Sequence, residues 1–100
     1  MPEMHFTVRW PDGGETRCYS PSLVVRDYLK EGQSYPLADF VERSRTMLNI
    51  ASERVRAKYG YACSAAMDQL AEIEERAAGG DPAAPILVVA FDLPPGVDRG

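Results

Sequence analysis

Hydrophobic and polar residues alternate at the start of the chain. Met4, Phe6, Val8 and Trp10 are apolar, while His5, Thr7 and Arg9 between them are polar. A period of two with aromatic and β-branched content predicts a half-buried strand. Pro11, Asp12, Gly13 and Gly14 follow. Proline fixes φ and the glycines tolerate φ > 0, so this is turn chemistry. Residues 15–19 are then the return strand of a hairpin, with Cys18 in its middle.

Beyond the hairpin the period changes. Ser20, Pro21 and Ser22 open a short helix that runs to about Leu29 and ends at Gly32. Ser34, Tyr35 and Pro36 repeat the start signal. From Leu37 the apolar residues Leu37, Phe40, Val41, Met47, Leu48, Ala51 and Val55 recur at helical spacing and form one stripe. Ser44 lies inside that stripe and permits close approach of a neighbouring element. Ile50 and Ala57 fall outside it and predict a second contact, with Met47 widening the same side. The helix ends at Gly60, which enters the left-handed region without steric cost. At 1.5 Å per residue it is roughly 35 Å long. A seven-residue strand is only about 23 Å, so the helix is expected to outreach the sheet.

Residues 61–78 predict the next helix, with Ala62, Ala66, Leu70, Ile73 and Ala77 as its stripe. The long helix carries five basic and three acidic residues, and the following one carries one and four. Opposite charge favours antiparallel pairing, modestly. Gly79, Gly80, Asp81 and Pro82 form a loop. Residues 86–91, ILVVAF, are continuously apolar, which predicts a strand covered on both faces. The resulting fold class is α+β. It comprises an N-terminal β-hairpin, three helices including a long helical hairpin, and a C-terminal strand completing a small sheet beside the first strand. One domain is expected over residues 1–93, with a flexible tail at 94–100.

Composition narrows the functional classes. At 100 residues and 45% hydrophobic content the chain is one ordered domain. The net charge of −4 disfavours nucleic acid, whose binders carry concentrated basic surface. No apolar run approaches the ~20 residues of a membrane span, and the N-terminus has no signal pattern. The expected setting is the cytoplasm, without membrane contact. The cysteines Cys18 and Cys63 and the lone His5 lack metal-ligand spacing, so neither metal nor cofactor is expected.

Three groups of residues remain as candidates. Cys63 is expected in the first turn of a helix, where the dipole favours a thiolate. With Tyr61 and His5 nearby it is a candidate ligand or thiol site, and its other reading is a buried, inert side chain. Met47, Ile50 and Ala57 are a candidate interface, which leads to an expected homodimer. Tyr59, Tyr61, Trp10 and Tyr19 can line a pocket or an interface, with ordinary core packing as the default reading. Arg43, Arg45, Arg54 and Arg56 are candidates for an anion or nucleic-acid site, but they are interleaved with Glu42 and Glu53, and a solvated face that pairs with the acidic helix is the expected reading. The glycines at 13 and 14 are no phosphate loop, since GxxxxGK and a following helix are both missing.

The stretches MPEMHFTVRWPDG, CYSPSLVVRDYL and IASERVRAKYGYACSAAMDQL, within residues 1–77, resemble a family of small bacterial nitrogen-starvation-response proteins. The resemblance implies a role in nitrogen-limited physiology, alongside a nitrilase and other enzymes of a dedicated pathway. It carries over no catalytic residue. The expected function is that of a non-enzymatic accessory or regulatory protein, binding a pathway enzyme or itself. The alternative is a small ligand-binding protein or enzyme that uses Cys63.

Overall fold

The structure is a computed structural model that describes residues 2–98. In chain order it contains β1 (Met4–Arg9), β2 (Glu15–Ser20), α1 (Val25–Tyr28), β3 (Ser34–Pro36), α2 (Leu37–Tyr59), α3 (Ser64–Ala77) and β4 (Pro85–Asp92). The strands form one antiparallel sheet in the order β2-β1-β4-β3, so the last strand lies beside the first. The α+β class and the helical hairpin are as the sequence pattern predicts.

The alternation of β1 does what its period requires. Met4, Phe6 and Val8 are buried, and Phe6 stands opposite Phe91 of β4. Trp10 continues the row, edge-on to Phe40 of α2 at 6.0 Å, while its Nε1 donates to Thr16 Oγ1. From the helices, Phe40, Met47, Leu48, Ala51 and Ile73 are fully enclosed against these strands. Ser44 is buried in the middle of the α2 stripe, as its small size requires.

β4 departs from expectation. Its buried side chains are Ile86, Val88 and Phe91, while Leu87, Val89 and Ala90 are half-buried, so one face of the sheet is not covered by helices. The continuous apolar run has another cause. Thr7 pairs with Ala90 but Val8 pairs with Val88, which leaves Val89 as an inserted residue. A bulge of this kind puts two residues opposite one and reverses the parity of the inward-facing positions.

Two further boundaries differ. The serines at 20 and 22 do not open a helix at once. Ser20 Oγ donates to the Ser22 carbonyl and accepts from the Ser22 amide, and Ser22 Oγ accepts from the Val24 amide. Such local bonds compete with helical ones, and α1 shrinks to Val25–Tyr28. Residues 34–36 form a short strand rather than a cap. Tyr35 precedes a proline, which pushes it toward extended backbone, and it pairs with Ile86.

The long helix has its predicted bounds, and Gly60 closes it at φ +85°. Residues 56–59 are exposed throughout. α2 and α3 are antiparallel, as two clefts show: Val55 faces the start of α3, while Leu37 and Val41 face its end. Only Arg45 of the four arginines pairs with the acidic helix, to Glu74 at 2.7 Å. Arg43 and Arg56 pair within α2, to Asp39 and Glu53. Arg54 donates to Ser22 Oγ. Among the described residues, the expected pairing between the two helices is therefore a single ion pair. After β4, the Arg26 guanidinium donates to the Asp98 carbonyl. The last part of the expected tail, 99–100, lies outside the described residues.

Candidate functional site

α3 begins three residues later than its apolar pattern suggests. The left-handed turn at Gly60 is followed by non-helical residues 61–63, and Cys63 is the residue just before the helix rather than part of its first turn. Its side chain makes no capping bond. Ala62, expected in the stripe, is exposed for the same reason.

This late start opens a cleft of about 350 Å³ where the edge of β2 meets the α2–α3 connection. Glu3, Tyr19, Val55, Tyr59, Tyr61 and Cys63 are among its lining residues. Cys63 is half-buried there, and neither cysteine is in a disulfide. Tyr59 and Tyr61 flank the Gly60 turn with ring centroids 6.3 Å apart and planes inclined by 34°. They are 50% and 67% exposed, the exposed large hydrophobic side chains among the described residues. The Lys58 ammonium lies over the Tyr59 ring, 5.6 Å from its centroid.

Tyr19 forms the opposite wall. Its hydroxyl donates to Glu3 Oε2 at 3.0 Å. Burial first, then that bond and the Glu3 charge, push the phenol up to about 12. It stays a neutral donor and holds the carboxylate in place. His5 does not line the cleft but packs edge-on to Tyr19, centroids 5.5 Å apart. Of the three residues singled out from sequence, Tyr61 and Cys63 therefore share a site, and His5 reaches it only through a ring.

Glu3 is the member that sequence patterns missed. Its signal was parity: Glu3, His5 and Tyr19 occupy the same set of alternate positions across the hairpin once its register is known. Trp10 belongs to the core, the default reading for these aromatics. Met47 is wholly enclosed, which leaves Ile50, half-buried, and Ala57, exposed, on the outer side of α2.

A larger cleft, about 460 Å³, opens at the other end of the helix pair around Leu37, Val41 and Ala77. Its charges are satisfied among themselves, because Arg45 bridges Glu42 and Glu74. Among the described residues no three potential metal ligands cluster, and no helix is long and apolar enough to cross a membrane.

Fold and cleft together define a small two-layer α+β domain with an aromatic corner. Residues 5–91 match the model of the nitrogen starvation-induced protein NitG, and the chain belongs to that family. The match extends through β4, beyond the stretches that carry the resemblance in the sequence. No curated protein and no solved structure matches the chain.

Proposed function

We propose that the protein is a non-enzymatic accessory protein of the nitrogen-starvation response, acting in the cytoplasm by binding a protein partner, an enzyme of the same pathway. The observation that supports this is the Tyr59–Tyr61 corner: two large aromatic side chains held in solvent on either side of the Gly60 turn. Tyrosine supplies large contact area for little conformational entropy and is enriched at interface centres. Capture from nitrogen-limited cells tests the reading, with wild type compared against a Tyr59→Ser/Tyr61→Ser variant. A partner retained by the wild type and lost by the folded variant is expected. Equal recovery by both, or none by either, overturns it. Self-association through Ile50 and Ala57 is part of the same proposal.

A second reading is a thiol site. It is favoured by the position of Cys63, half-buried in a cleft rather than enclosed in the core. Thiol labelling of the native protein as a function of pH tests it. Labelling of Cys63 only after denaturation removes this reading.

A further inference from the structure

The cleft beside the Tyr59–Tyr61 corner has a chemical bias of its own. Among the described residues lining it, Glu3 carries the one formal charge, and Tyr19, Tyr59 and Tyr61 supply three aromatic rings. The carboxylate is fixed by the Tyr19 hydroxyl, and among the described residues no cation is paired with it. A carboxylate beside the negative faces of aromatic rings attracts a cation that carries some apolar surface. Val55 and the rings offer contact for that surface. The rings already show this chemistry, since the Lys58 ammonium lies over Tyr59. The volume, about 350 Å³, lies within the range of ligand sites and has ample room for an ammonium group on a chain of a few carbon atoms.

We propose that this cleft binds a small alkylammonium group, its nitrogen at the Glu3 carboxylate and its carbon chain against Tyr59, Tyr61 and Val55. The opposite choice, an anion, would face Glu3 with no cationic side chain among the described lining residues to hold it.

The probe is n-butylammonium, titrated into the isolated chain while the ring resonances of Tyr19, Tyr59 and Tyr61 are followed by NMR. Saturable shifts of those three residues are expected, with butanol and butyrate giving none. Two variants separate charge from contact. Glu3→Gln should weaken binding by at least about tenfold, the scale of one charge-assisted hydrogen bond. Tyr61→Leu keeps apolar area but removes the aromatic face, and should also weaken it. No saturable shift, equal binding of butanol, or an unchanged affinity in Glu3→Gln each overturns the proposal. The group can come from a free amine or from a lysine side chain. N-acetyl-lysine methylamide tells these apart: binding as tight as butylammonium indicates a lysine, and rejection indicates a free amine. The titration uses no protein partner, so its failure is separate from failure of the capture experiment.

Discussion

The side-chain carbonyl of Gln69, on α3, accepts the backbone amide of Tyr19 on β2 at 2.9 Å. β2 is an edge strand, and an unpaired edge amide is a template for another chain. A helix residue thus completes the ladder where no strand is present. The far side of the sheet uses the same device. β3 pairs β4 only at residues 85–87, and beyond it Glu31 Oε2 accepts the Phe91 amide at 2.8 Å.

Gln69→Ala should therefore destabilise the fold although it removes a polar group. Gln69 is 9% exposed, and loss of one partner from a buried hydrogen bond costs about 1–3 kcal/mol. Urea unfolding measures this. A loss within about 0.5 kcal/mol, the range of ordinary surface changes, would show that water replaces the carbonyl.

Gly60→Val should cost ~1–2 kcal/mol, the scale of backbone strain in the left-handed region. A Cβ at Gly60 would meet nothing within 4 Å, so the cost is conformational and not steric crowding by neighbours. Gly60→Asn, which tolerates φ > 0, should recover most of it. Equal melting temperatures for wild type and Gly60→Val would contradict this account.

Leu48→Ala should cost roughly 2–5 kcal/mol, as for other enclosed leucines, because Leu48 is fully buried. Leu70, at the margin of the core, should fall at the lower end of that range. Denaturant titration of both variants gives the order, and the reverse order would mean that α3 packs more tightly than α2.

Stability should decline in alkali. Burial pushes the Cys18 thiol from an ordinary 9.0 up to about 12, with the Glu72 charge adding to it. Tyr19 rises from 10.0 to about 12. Between these limits the folded protein holds protons that the unfolded chain has released. The stability is present in full below pH 9 and is lost as pH rises, at up to ~1.4 kcal/mol per pH unit for the thiol. The half-exposed Tyr19 adds a smaller loss above pH 10. Unfolding of wild type and Cys18→Ala from pH 8 to pH 11 separates the two groups. An identical pH profile for both proteins would show that the thiol does not contribute.

Sedimentation should find a dimer at tens of micromolar, weakened by Ile50→Glu. Ile50 and Ala57 face the same open side of α2, and a two-fold contact needs only one patch used twice. A monomeric wild type removes the dimer. A dimer indifferent to the substitution moves its interface elsewhere.

The sequence makes α2 legible because chemistry punctuates both ends: Pro36 before it, Gly60 after it. Legibility fails where tertiary geometry decides. β3 is three residues long, too short to carry a period, and exists because β4 offers it a ladder. The inserted Val89 imitates a strand covered on both faces. Tyr59, Tyr61 and Cys63 meet because they are neighbours in the chain, which sequence reading can find. Glu3 and Tyr19 join them only through the hairpin register, and Met47 leaves the candidate interface because its angle on the helix points inward.

The middle of the sheet joins the two ends of the chain, since β1 lies between β2 and β4. During synthesis the hairpin and α2 leave the ribosome with the strand that must cover β1's other flank still unmade. Contacts of such long sequence separation form slowly. Until residues 85–92 emerge, Phe6 and Val8 lack their partners Phe91 and Val88. A nascent chain stalled before residue 85 should be open to proteases and chaperones, and release of β4 should close the fold in a single late step.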